Sequence, residues 1–242
     1  MSKDVSVSTE QQLLAALKNA GSGDVIRLAA GNYGTLDLQA AHKPFVKFAG
    51  EVTLKSADAN ALATFSSFKL HGIENLTFDQ VKFDYRAAVG AKDWLRPFWI
   101  DKGSSNIKIT NSIFDGDLAR GVSTVKDGYG TGTGIYVVNA ANITISGNEF
   151  YNWRIGGVFS SITGLVVSGN DVHSVRSDGF NFVAVSKVLI EKNHMQDLAA
   201  APDAGDHRDI IQFWTTGQTV PTTDVIIREN FLKSGAGRWT QS

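Results

Sequence analysis

The chain reads as an all-β solenoid of short strands stacked coil upon coil, with a helix covering its N-terminal end. Three observations predict this. The first is a repeated nine-residue phrase: Asn142-Ile143-Thr144-Ile145-Ser146-Gly147-Asn148-Glu149-Phe150, then Gly164-Leu165-Val166-Val167-Ser168-Gly169-Asn170-Asp171-Val172, then Lys187-Val188-Leu189-Ile190-Glu191-Lys192-Asn193-His194-Met195. Related phrases open at Asn75, Asn106 and Asp224. The second is their spacing, in steps of 31, 36, 22, 23 and 37 residues. A shortest step with irregular additions marks a repeating coil with loops inserted at fixed corners. The third is the alternation of apolar and polar residues within each phrase, which is strand periodicity with one face buried.

A second strand precedes the phrase in each coil. Phe98-Trp99-Ile100, Ile135-Tyr136-Val137, Gly156-Gly157-Val158-Phe159, Phe180-Asn181-Phe182 and Ile211-Gln212-Phe213 fit that place, with Phe65-Ser66-Ser67-Phe68 as an earlier copy. Stacked strands lie about 4.8 Å apart, so equivalent residues of successive coils become neighbours in a ladder. Asn148, Asn170, Asn193 and Asn230 form one such ladder. Asparagine tolerates turns and hydrogen-bonds along them, so these four read as structural.

Taken in order, Val5-Ser6-Val7 alternates like a strand, and Ser8-Thr9-Glu10-Gln11 opens a helix. Ser8 or Thr9 is the cap, Gln11 or Gln12 completes a capping box, and Leu13, Leu14, Ala16 and Leu17 form the apolar face. A bare terminal coil would expose core and strand edges, so this helix is expected to cover it. Short strands follow at 24–28, 36–38, 45–48 and 52–54, with a loop at 57–63. The whole chain, 1–242, is expected to be one domain, with 1–23 as its cap. Residues 235–242 enter a further coil with no second capping helix, so the expectation is an open end belonging to a piece of a longer protein, with self-association through that end or Trp239 folding over it as the alternatives.

Composition bounds the function classes. A net charge of −1 gives no basic footprint for nucleic acid and no polybasic membrane patch. No stretch has transmembrane length. The lack of cysteine removes disulfides and thiolate metal sites. The opening Met1-Ser2-Lys3-Asp4 is not a secretory leader, so the expected location is extracellular without a cleaved signal, or on a virion.

The opening Val-x-Val-Ser-Thr-Glu at 5–10, the Gly23-Asp24-Val25-Ile26-Arg27-Leu28 strand, the Gly31-Asn32-Tyr33 turn and the repeated phrase together resemble the right-handed parallel β-helices of the pectate-lyase-like superfamily. Phe114-Asp115-Gly116-Asp117-Leu118, Ser177-Asp178-Gly179 and Gly205-Asp206-His207-Arg208-Asp209 look closest to the β-helix parts of secreted calcium-binding, alginate-epimerase-like bacterial proteins. The resemblance implies the fold over nearly the whole chain. It implies no single function, because that superfamily holds lyases, hydrolases, epimerases, tailspikes and adhesins. The Asp-Pro-His-Glu motif of alginate epimerases and the Asp-Asp and Gly-His-Gly signatures of polygalacturonases are absent.

The inserted loops at 84–95, 115–132, 173–178 and 196–209 occupy one corner and are expected to wall a groove floored by the second strands. Trp99, Tyr136, Asn181 and Gln212 should point outward along that floor. With Trp153, Arg154 and Lys126 from the walls, they suit an acidic polysaccharide, because aromatic faces meet sugars and cations meet carboxylates. Asp178 and Asp209 should fall on adjacent rungs. They are open to three uses: Ca²⁺ binding with Asp206, an acid pair for glycoside hydrolysis, or flanking His207 as a proton-transfer group. Ordinary pairing of each aspartate with Arg176, Arg208 or Arg154 is the alternative. For β-elimination or C5-epimerisation of a uronate, Arg176 or Arg208 would neutralise the carboxylate, His207 would take the proton, and Tyr136 would act as the acid. A non-catalytic polysaccharide-binding surface or tailspike module, or a purely structural solenoid, are the competing readings.

Overall fold

The computed structural model describes residues 2–39, 48–206 and 208–233. Three sheets run the length of the stack. Sheet I holds Asp4–Val7, Val25–Leu28, Val52–Ser56, Glu74–Asp79, Ser105–Thr110, Ser186–Glu191 and Thr223–Arg228. Sheet II holds Thr35–Gln39, Ser67–His71, Phe98–Asp101, Phe180–Val183 and Ile211–Trp214. The long strands Thr133–Ser146 and Ile155–Ser168 turn the corner and serve both sheets. Sheet III carries the short strands, among them Lys82–Asp84, Ile113–Asp115, Glu149–Tyr151 and His194–Gln196. Each full coil passes from sheet II to I to III. Neighbouring coils pair in parallel.

Each phrase of the sequence is one coil's sheet I strand, corner and sheet III strand. Its first residue sits at a left-handed bend, with φ of 53° at Asn106, 53° at Asn142 and 78° at Gly164. Such a backbone selects asparagine or glycine. The next corner is closed by the asparagine ladder, which is nearly sealed from solvent. The Asn170 side-chain oxygen accepts from the Asn148 backbone N–H at 3.0 Å and from the Asn148 amide at 3.1 Å. Its own Nδ2 donates to the Ile145 carbonyl and to Asn193. Asn193 and Asn230 repeat the pattern, and Ser112 starts it by donating its N–H to Asn148.

Inside, equivalent positions stack. Phe83, Phe114 and Phe150 form a column with ring centroids 4.5 and 4.3 Å apart. Each buried phenylalanine contributes roughly 1.5–3 kcal/mol by leaving water. At the N-terminal end, the Thr9 hydroxyl accepts from the Gln12 N–H while Gln12 Oε1 accepts from the Ser8 N–H. The helix Glu10–Lys18 then buries Leu13 and Leu17 against the first coil. No helix among the described residues is long and apolar enough to cross a membrane.

Two expectations are corrected. Phe65-Ser66-Ser67-Phe68 is not one strand: Phe65 ends a sheet III strand and Ser67 begins a sheet II strand, because the chain turns at Ser66 with no inserted loop. Trp153 does not face the groove. It is fully buried, donates from Nε1 to the Phe114 carbonyl at 2.8 Å and stacks on Tyr85. The expected strand at 45–48 lies outside the described residues except for Phe48, and the 235–242 segment lies outside them entirely.

Asn170→Ala strips two buried donors of Asn148, and the Ile145 carbonyl, of their partner. The expected loss is at least roughly 3 kcal/mol, since three buried groups are orphaned and each costs about 1–3 kcal/mol. Chemical denaturation followed by circular dichroism measures it.

Candidate functional site

The corner from sheet III to sheet II takes the long insertions: residues 85–97, 116–132, 152–154, 173–179 and 197–210. In the second, a small antiparallel pair, Asp117–Leu118 with Gly130–Thr131, stiffens the loop. The chain re-enters sheet II through a glycine row where coils touch closely. A Cβ at Gly156 would stand 2.6 Å from the Gly179 carbonyl oxygen. Small residues here let the loops rise at the side while the floor stays continuous.

The outward ladder of that floor is Lys69, Trp99, Tyr136, Val158, Asn181 and Gln212. Its N-terminal half is aromatic. The His71 ring lies edge-on to Trp99 at 5.1 Å, Trp99 meets Tyr136 at 5.9 Å, and the Arg96 guanidinium sits 3.7 Å over the Tyr136 ring. Its C-terminal half is polar. The Asn181 amide donates to Asp178 Oδ2 at 2.9 Å, and the Gln212 amide donates to Asp209 Oδ2 at 2.7 Å. The Asp209 N–H donates to Asp178 Oδ1 at 3.1 Å. The two aspartates therefore occupy adjacent rungs, as the sequence alignment of 176–182 with 207–213 required. Burial pushes the Asp178 carboxyl above its ordinary value, and the neighbouring Asp209 pushes it the same way, against the hydrogen bonds from Asn181 and the Asp209 N–H.

Several buried polar atoms of this floor have no hydrogen-bond partner among the described residues: both His71 nitrogens, Trp99 Nε1, Asn181 Oδ1 and Gln212 Oε1. Burial, the largest cause, also holds the His71 imidazole below its ordinary value. The sequence places Arg96 among the residues of the first loop wall and reads His71 as a structural turn residue. A histidine at a strand end and an arginine before a proline carry no signal of their own, and only the stacking of coils brings them to Trp99 and Tyr136.

The wall residues are bound to one another instead of to the groove. Lys126 Nζ lies 2.9 Å from Asp93, whose same oxygen takes Arg176 Nη2 at 3.0 Å. Arg176 Nε lies 2.9 Å from Asp206, and Arg154 Nε lies 3.5 Å from that carboxylate's other oxygen. This chain of alternating charge links all five loops. Burial alone would raise the Asp93 carboxyl, but Lys126 and Arg176 outweigh it and hold it below its ordinary value. Arg176 has no solvent exposure and so is removed from the role of meeting a substrate carboxylate. Lys126 and Arg154, expected as substrate contacts, are drawn into the same chain. Arg208 lies apart, with Nη2 donating to the Ala201 carbonyl at 3.3 Å. His207 lies outside the described residues.

A calcium ion does not fit the three aspartates proposed for it. Both Asp206 oxygens face guanidinium groups, while Asp178 and Asp209 are held by amides on the floor. Among the described residues no group of three or more histidine or acidic side chains converges on a metal position. A cavity of about 590 Å³ lies on the outer face of sheet I over Lys108, Thr144, Val166, Leu189 and Ile226. Lys187 and Asp224 also line it, but none of its lining residues carries a buried polar atom without a partner among the described residues, so the sheet II face remains the candidate site.

A family profile described as the right-handed β-helix region matches residues 98–237. The chain belongs to that right-handed β-helix family. No curated protein matches it. Among solved structures, this β-helix is similar to a GH136 lacto-N-biosidase from Eubacterium ramulus, with a TM-score of 0.63 and 11% identity over 96% of this chain and 56% of that one. It is similar to a rhamnogalacturonan lyase, with a TM-score of 0.56 and 15% identity over 96% of this chain and 66% of that one. It is also similar to PfbA, a surface adhesin of Streptococcus pneumoniae, with a TM-score of 0.57 and 14% identity over 93% and 67% of the two chains. At these identities the likeness is one of fold, and the β-helix spans less than two thirds of the first two proteins.

The raised Asp178 carboxyl gives a pH test with a definite sign. Its contribution to stability is full below the unfolded value of about 3.9 and is lost as pH rises through the higher folded value. The stability of Asp178→Asn relative to the parent is therefore expected to improve as pH rises above about 4. Urea midpoints across that range measure it, and a constant difference would remove the buried-acid description.

Proposed function

We propose that the outer face of sheet II binds a polysaccharide lying along the stack axis, with acidic sugars preferred. The reading is carried by the unmatched hydrogen-bonding atoms of the floor. A buried polar atom without a partner costs about 1–3 kcal/mol, and here several share one face. A polyol supplies what they lack: its hydroxyls donate to Asn181 Oδ1 and Gln212 Oε1 and accept from Trp99 Nε1. The four steps from Trp99 to Gln212 make a floor of about 19 Å, the reach of a short oligosaccharide. Lys69, Lys92 and Arg96 stand beside it without a carboxylate partner among the described residues, Lys92 over Trp94 and Arg96 over Tyr136. These cations favour carboxylate- or sulfate-bearing chains. The similar solved structures include proteins named for acting on glycans and one named as an adhesin, so both cleavage and binding are within the fold's use.

Cleavage is the second reading, favoured by the Asp178 and Asp209 pair. One carboxyl raised beside a second is the arrangement in which one acts as acid and the other as base or nucleophile at a glycosidic bond. Elimination or epimerisation instead rests on His207, known from sequence alone, with Tyr136 as acid beneath Arg96.

A panel of pectate, alginate, rhamnogalacturonan, glycosaminoglycan and neutral glycans tests both readings. Calorimetry is expected to find binding to acidic members. Trp99→Ala should weaken it at least about tenfold, or roughly 1.4 kcal/mol, while Arg96→Ala should weaken acidic ligands alone. Binding to none of the panel sinks the proposal. New reducing ends without ultraviolet absorbance would indicate hydrolysis, abolished by Asp178→Asn. Absorbance of an unsaturated product would indicate elimination.

A further inference from the structure

The ion network in the walls does not balance. Lys126, Arg176 and Arg154 supply three positive charges against the two of Asp93 and Asp206. The central guanidinium has no solvent exposure, yet its Nη1 has no hydrogen-bond partner among the described residues. Its Nε, although 2.9 Å from Asp206 Oδ2, is not aligned to donate to it. A buried cation with an unused donor, in a chain carrying one surplus positive charge, is an incomplete anion site.

We infer that the loops enclose a binding site for one small monovalent anion at Arg176 Nη1, between Lys126 and Arg154. Its chemistry is that of a halide or a carboxylate group. The anion brings the chain to neutrality, satisfies the orphaned donor, and locks the five loops that wall the groove. It arrives as a free ion, because Arg176 has no exposure through which a bound sugar could reach it. The inference stands on the network's geometry and does not depend on the glycan reading.

Thermal unfolding of the whole chain tests it at constant ionic strength. Sodium methanesulfonate is replaced stepwise by chloride, bromide, acetate or glucuronate. A saturable, anion-specific rise in Tm is expected, about 3–6 °C for each tenfold increase above the dissociation constant. A rise with chloride and bromide supports the inference, whereas a rise with glucuronate alone would overturn it. Lys126→Gln removes the surplus charge from the exposed end of the chain while leaving Asp93 paired with Arg176. It should fold and lose the anion response. An equal response to all salts, no response, or an undiminished response in Lys126→Gln would each overturn the inference.

Discussion

The fixed spacing between parallel coils is the constraint on which the rest depends, and the buried asparagine ladder enforces it. Each asparagine binds its neighbour's backbone N–H and side-chain amide while reaching back to a carbonyl of the preceding coil. Three buried polar groups per coil are satisfied only at one register. A slip of one residue would orphan them and turn the inward Ile145, Val167 and Ile190 outward. The ladder thus selects register, while the aromatic column beside it supplies most of the burial. That division explains why one corner hardly varies in length while the opposite corner tolerates insertions of a dozen residues or more.

The same spacing makes the floor. Once register is set, any side chain pointing outward from sheet II stands about one rung from its counterpart, whatever the length of loop between them. Asp178 and Asp209, 31 residues apart, become neighbours in this way, each holding the amide three residues on. The amides are fixed by those carboxylates, which leaves their oxygens aimed elsewhere and unmatched. A stack built to satisfy its buried groups at one corner and to leave them unmet on one outer face has placed its cost where a ligand can recover it.

Legibility followed the same division. The solenoid, its coil phase and the adjacency of the aspartates were readable, because periodicity and register are local properties repeated along the chain. Phe65 to Phe68 was misread because a corner without an insertion looks like a continuous strand. Trp153 was misread because an aromatic in a short loop looks exposed, although it turns inward to reach the Phe114 carbonyl. Arg176 was assigned to substrate because its partner, Asp93, lies 83 residues away in a loop of no fixed length. Ladder contacts can be counted from sequence, whereas contacts between insertions cannot, and the residues proposed for chemistry lay mostly among the insertions.

The walls follow a different physics from the floor. Regular backbone pairing holds the floor, while the walls combine scattered backbone hydrogen bonds with pairing of charges in a partly dry corner. Removing one member of such a chain leaves an unpaired buried charge and costs about 3–5 kcal/mol, far more than a surface pair is worth. The cost is steepest at Arg176, the centre, and falls toward Lys126 and Arg154, which are about 30% exposed. Backbone hydrogen bonds join neighbouring loops, among them Gly90 N–H to the Arg120 carbonyl, Gly132 N–H to the Asp93 carbonyl, Arg154 N–H to the Gly132 carbonyl and Ser177 N–H to the Arg154 carbonyl. The charge chain adds to that framework a buried cation that joins loops distant in sequence, and whatever neutralises the remaining charge at Arg176 adds to the firmness of the walls over the floor.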